Sequence, residues 1–135
     1  MTTTNIERVN PAGMHSNPVY SQATILPVGA RLMVIGGQNS VDASGNIVGV
    51  GDLRAQTAQA LDNLTTVLAA ANATLDDLLK VTIYLVDGQD LRPAFGEWMT
   101  RWGQRTNPPS VTGLTVVRLA RPEFLIEIEA LAAVR

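Results

Sequence analysis

Two carboxylates, Glu127 and Glu129, alternate with Ile126 and Ile128 near the end of the chain. On a strand, that spacing sends both carboxyl groups to one face. A positioned, partly desolvated carboxyl is what general acid–base chemistry needs. The plainer reading is a solvent-facing strand, and it carries most weight for Glu129. Tyr20 offers an aromatic side chain for a pocket wall or an interface anchor, with packing the favoured role. His15 is the single histidine; it lies in a Pro/Gly-rich loop and reads as a surface residue, with proton shuttling the alternative. Arg105, just before Asn107-Pro108-Pro109, is the better placed of two candidates to grip an anion. Arg118 reads as an ion-pairing or surface residue. Gly36-Gly37 ends an apolar run without the spacing of a nucleotide fingerprint, so it permits close backbone approach near a cleft rather than forming a phosphate loop.

Composition removes several other chemistries. The chain has no cysteine, which excludes disulfides, thiol catalysis and thiolate metal sites together. One histidine leaves little basis for a histidine metal site or a catalytic triad. The ten basic residues are scattered and the net charge is −2, so nucleic acid is not an expected partner. The N-terminus lacks a basic-then-apolar signal pattern and no apolar run reaches membrane-spanning length. The expectation is a cytoplasmic protein with no membrane contact. Residues 1–135 read as one domain, 46% apolar and only 16% charged, with aliphatic side chains filling the core.

The elements that must position these residues follow from periodicity. Short strands are expected at Ile6 to Val9 and Tyr20 to Leu26, then a longer one from Arg31 to Gln38. The run Leu32-Met33-Val34-Ile35 suits a strand covered on both faces. Leu53 to Ala71 carries apolar residues at helical spacing, with Asp52 as N-cap. Thr74 to Asp77 has the form of a capping box. Leu79 to Val86 alternates as a strand. Asp90 can cap a second helix, with Pro93 in its first turn and Leu91, Phe95, Trp98 or Met99, and Trp102 on its apolar face. Two strands finish the chain, Val111 to Leu119 and Phe124 to Ala132. Helices between strands imply βαβ crossovers and a mixed sheet covered on one face. Oligomerisation would cover the other.

Several ordered segments resemble the RidA/YjgF family of enamine/imine deaminases: Tyr20-Ser21-Gln22, Gly36-Gly37-Gln38, Gln56-Thr57 through Leu64, Leu79 through Tyr84, and Phe124 through Ala132. The resemblance implies a chorismate-mutase-like α+β fold. That fold has a mixed six-stranded sheet with two helices on one face. It forms a homotrimer around a β-barrel core, with clefts between neighbouring subunits. It also implies hydrolysis of reactive enamines and imines, such as 2-aminoacrylate, to keto acids and ammonia without metal or cofactor. Some relatives carry the names endoribonuclease or translation inhibitor.

The site carries over only in part. Tyr20 and Glu127 match, and the resemblance gives Glu127 the role of positioning or activating water. Deaminating members place a carboxylate-binding arginine just after a proline in the penultimate strand. Here that stretch is Pro109-Ser110-Val111-Thr112-Gly113, with Val111 at the corresponding position. A planar guanidinium fixes both oxygens of a carboxylate, so its loss changes what can be gripped. The family's serine before Gly-Gln becomes Gly36, beside Gly37. Its cysteine becomes Gly113, and an asparagine of the second helix aligns with Phe95. Leu119-Ala120-Arg121-Pro122 resembles the Rid subgroups that lack the arginine. The expected substrate-binding residues are thus Gly36, Gly37, Phe95, Arg105, Val111, Thr112 and Gly113, around a roomier and less polar pocket. Two functions remain open: a deaminase-like hydrolase of a small C–N compound, or a non-catalytic trimeric module that binds a small molecule or a partner.

Overall fold

A computed structural model describes residues 5–135. Its strands are β1 (Glu7–Val9), β2 (Ala23–Ile25), β3 (Arg31–Gln38), β4 (Leu78–Val86), β5 (Ser110–Val116) and β6 (Ile126–Val134). The helices are α1 (Leu53–Ala70) and α2 (Arg92–Trp102), with a single 3-10 turn at Leu75–Asp77. β3 has the limits its apolar run predicts. Asp52 caps α1 by accepting from the Ala55 N–H at 3.1 Å. Asn72, at φ 56°, turns the chain out of the helix in the left-handed region that asparagine tolerates. The Thr74 capping box forms reciprocally with Asp77. At α2 the cap shifts by one residue. Leu91 is the N-cap, and Asp90 supports the first turn by accepting from the Arg92 N–H at 3.0 Å.

The main sheet has the order β3-β6-β4-β5. β6 is antiparallel to both β3 and β4, and β4 is parallel to β5. β3-α1-β4 and β4-α2-β5 are therefore both crossovers, and both helices lie on one face. That face buries Ile35, Val81, Leu85, Ile126, Ile128, Ala130 and Ala132 against Leu61, Leu64 and Leu68 of α1.

Six strands form among the described residues, but not one sheet. β1 and β2 make a separate antiparallel ribbon. Its neighbour Ile6 is buried with Leu79 and Ala133, and Thr24 donates to the Leu79 carbonyl at 2.8 Å. These three-residue strands cover one end of the reverse face instead of extending an edge. β3 is covered on one face only. Met33 and Ile35 pack toward the helices, while Leu32 and Val34 are 51% and 72% exposed. Ribbon and chain together leave the reverse face of the sheet largely open.

Two polar side chains tie the loops to this frame. Gln56 of α1 is fully buried; its amide donates to the carbonyls of Gly49 (3.2 Å) and Glu123 (2.8 Å), and its oxygen accepts from the Leu125 N–H (2.9 Å). The start of β6 is fixed in this way. Ser21 is buried, with its hydroxyl on the Pro108 carbonyl (2.6 Å) and its N–H on the Pro109 carbonyl (3.0 Å). These bonds hold the N-terminal loop, and Tyr20 with it, beside the start of β5. The expected strand from Tyr20 to Leu26 is consequently reduced to Ala23–Ile25.

Candidate functional site

A cavity of about 540 Å³ opens between the β4–β5 edge, α2 and the N-terminal loop. Register explains its floor: Val81 pairs with Val111 and Ile83 with Gly113, so these alternate residues share the helix-side face. A Cβ at Gly113 would meet nothing within 4 Å, and the missing side chain leaves room in the cavity. α2 supplies Leu91, Phe95 and Trp98, and the loop supplies Asn17 and Tyr20. The expected apolar face of α2 is thus divided. Ala94 and Trp102 are buried, whereas Leu91 and Phe95, 52% and 45% exposed, face the cavity instead of the core. Trp98 stacks on Trp102, with ring centroids 5.6 Å apart, and stiffens that wall. None of the lining residues is charged.

The carboxylates lie on the other face of the sheet. Tyr84 pairs with Glu127 and Thr82 with Glu129, out of phase with the half-buried Ile83 and the buried Ile128. Asn39 donates through Nδ2 to Glu127 Oε1 at 3.0 Å. The Asn39 backbone is held in turn, because Asn63 Nδ2 of α1 donates to the carbonyls of Asn39 (3.0 Å) and Val41 (2.9 Å). Gly37 sits under the Glu127 side chain, where an added Cβ would lie 2.3 Å from Oε2. The Tyr84 hydroxyl donates to Glu129 Oε1. That hydrogen bond, then desolvation, then the charges of Glu129 and Glu127 raise the Tyr84 pKa above its ordinary value.

The sequence-derived residues therefore form two groups. Tyr20, Phe95, Val111 and Gly113 line the cavity. Glu127 and Gly37 meet on the reverse face, and Gly36 adjoins them in β3. Thr112 pairs with Thr82 and so belongs to the reverse side. Arg105 belongs to neither. Its guanidinium donates to the carbonyls of Arg101 (3.2 Å) and Trp102 (3.0 Å) and pairs with Asp76 at 3.4 Å. It serves the C-terminal end of α2, where unpaired carbonyls attract a cation. Arg118 lies past the end of β5, not within a strand. His15 is exposed, and its carbonyl accepts from Gln22 Nε2 at 3.0 Å. Sequence reasoning missed Asn39, Asn63 and Tyr84. Only Tyr84 left a signal, in its alternation with Ile83 and Leu85.

This arrangement matches known proteins. The family model described as Endoribonuclease L-PSP matches residues 12–134, nearly the whole chain. The chain belongs to the RidA/YjgF family. A RutC family protein of Pyrococcus horikoshii is 34% identical over 113 residues, covering 84% of this chain and 85% of the relative. Among solved structures, the conserved Rid-family protein YyfB of Yersinia pestis, of unknown function, is similar with a TM-score of 0.84 and 34% identity. The match covers 96% of this chain and 99% of that one. YyfA of the same organism, also of the Rid family, has a TM-score of 0.71 and 26% identity over 96% and 100%. The Rid fold accounts for the paired crossovers. Among the described residues, no helix is long and apolar enough to cross a membrane.

Proposed function

We propose that the chain is one subunit of a cytoplasmic homotrimer whose inter-subunit clefts hydrolyse a small C=N compound, an imine or the imine tautomer of an enamine. One observation carries this reading: each chain holds both halves of a site, but on opposite faces of its sheet. A second copy packed on the open face, over Leu32 and Val34, would set its cavity against the Glu127 of the first. An interface between unlike patches closes into a ring when each copy is turned a third of a circle from the last.

The chemistry then follows from the groups present. Protonation of the imine nitrogen makes its carbon electrophilic and places a positive charge that a nearby carboxylate favours. Glu127 accepts a proton from water as the C–O bond forms. It returns that proton to nitrogen, and as the C–N bond breaks it takes the proton of the carbinol hydroxyl, so that the carbonyl forms and an amine or ammonia leaves. Tyr20 shapes the pocket. No step needs a metal or an organic cofactor, and neither nucleic acid nor membrane enters the reading.

Light scattering at three times the mass of the chain, together with imine hydrolysis that Glu127→Gln abolishes, would support the proposal. A clean monomer would remove its basis. An intact trimer that accelerates no imine, 2-aminoacrylate included, would leave the other function: a non-catalytic module binding a small molecule or a partner.

A further inference from the structure

We infer that the cavity takes a neutral, mainly apolar ketone or imine and excludes substrates that bear a carboxylate. The inference rests on the cavity being the ligand half of the proposed site, and it names the class of molecule that site accepts.

The first ground is charge. No charged side chain lines the cavity. The cations of α2 and the turn after it are already committed, Arg92 to Asp90 at 2.9 Å, Arg101 to Asp62 at 2.6 Å and Arg105 to Asp76 at 3.4 Å, and Lys80 of β4 is in phase with the reverse-face Thr82 and Tyr84. A carboxylate entering a cavity walled by Val81, Ile83, Phe95, Trp98 and Val111 would lose its hydration with no cation in return, and such transfers are strongly unfavourable. A neutral carbonyl or imine has far less hydration to lose.

The second ground is the small number of hydrogen-bonding groups. The Thr57 hydroxyl is taken, donating to the Leu53 carbonyl at 2.7 Å. The Asn17 carboxamide oxygen accepts from the Val19 N–H at 2.9 Å, which leaves its NH₂ as a donor. The Tyr20 hydroxyl adds another donor on the same loop, and Thr115, the one other polar side chain of the lining, adds a hydroxyl from β5. Two donors from one wall suit a single acceptor atom, such as a ketone oxygen or an imine nitrogen. The remaining wall of Leu91, Phe95 and Trp98 suits an apolar or aromatic body.

The test uses a matched pair of ligands, phenylacetone and phenylpyruvate, which differ in a methyl group against a carboxylate. Calorimetry or protein-detected NMR titration should show phenylacetone binding about tenfold or more tightly than phenylpyruvate. Phe95→Ala should weaken phenylacetone, and Val111→Arg should reverse the preference. Equal or tighter binding of phenylpyruvate by the unaltered protein would overturn the inference, and so would failure of both ligands to bind. Because the wild-type comparison decides alone, a poorly folded Val111→Arg variant would not obscure the result. Hydrolysis of the N-methylimine of phenylacetone is followed in parallel. Binding of the ketone without hydrolysis of the imine refutes the hydrolase reading and leaves the ligand class standing. Hydrolysis accompanied by a preference for phenylpyruvate does the opposite.

Discussion

Replacing Gly37 by alanine should disable Glu127 while leaving the fold in place. A Cβ built at Gly37 lies 2.3 Å from Oε2, 2.6 Å from Cδ and 2.9 Å from Cγ of Glu127, distances no real contact tolerates. Gly37 lies in β3 where the register against β6 shifts between Ile35 and Gln38, but its φ is outside the left-handed region, so alanine itself is not strained. The glutamate must therefore turn away, and its hydrogen bond from Asn39 at 3.0 Å is lost. A bond to a charged acceptor is worth about 1.5–3 kcal/mol, but water reaches this partly exposed carboxylate and recovers much of that. A net destabilisation of about 1 kcal/mol is expected, rising to about 2 kcal/mol if the new rotamer is unfavourable. Gly36→Ala is the stability comparator, because nothing lies within 4 Å of its added Cβ, and it should cost less than about 0.5 kcal/mol. The catalytic effect should be larger, since a misplaced acid–base group forfeits much of a contribution of about 10²–10⁴. Urea unfolding at fixed protein concentration reads the first effect and imine hydrolysis the second. Ligand binding in the cavity of Gly37→Ala should remain, because the two groups lie on opposite faces. Equal stabilities for the two alanine variants, with full hydrolytic activity in Gly37→Ala, would refute the reasoning.

Two further outcomes follow from the same geometry. Gln56→Leu should destabilise the protein by about 2–4 kcal/mol, since it strands the Glu123 carbonyl and the Leu125 N–H that the buried amide satisfies at 2.8 and 2.9 Å; a loss under about 1 kcal/mol in urea unfolding would show that water replaces them. The chain has two tyrosines, so the difference between wild type and Tyr84→Phe isolates the Tyr84 phenolate in an ultraviolet pH titration. Its folded pKa is raised, first by the hydrogen bond to Glu129, so the midpoint should lie above about 10. A raised pKa means the bond stabilises the fold below the unfolded value and loses that effect as pH rises through the folded one. A midpoint at or below the ordinary tyrosine value would contradict the Tyr84–Glu129 bond.

Local signals in the sequence were sufficient for most of the elements. The β3 limits, the Asp52 cap and the Thr74 capping box depend on neighbours within a few residues, and the structure has each of them. Alternation also placed Glu127 and Glu129 on a common strand face. What alternation leaves open is which face the helices cover, and that depends on two crossovers spanning β3 to β5. The resemblance puts Tyr20 and Glu127 at one cleft between subunits, and within a chain the sheet separates them. Phe95 shares the helical spacing of core residues, but α2 tilts it toward the cavity. Arg105 is drawn to Asp76, a partner 29 positions earlier that no local pattern predicts. The clamp from Asn63 to Asn39 spans 24 positions and was hidden for the same reason.

In the proposed trimer, one working site takes its cavity and its carboxylate from different subunits. Subunit mixing tests it most directly. Glu127→Gln should lack the acid–base group, and Gly113→Trp should fill the cavity, so each homotrimer should be inactive toward the imine. Unfolding and reassembling them together in equal amounts gives mixed trimers in which about a quarter of the clefts combine an open cavity with an intact Glu127. Recovery of about a quarter of wild-type activity is expected in the mixture. Mixed trimers that remain inactive, when reassembled wild type regains its activity, would contradict it and return the whole site to a single chain.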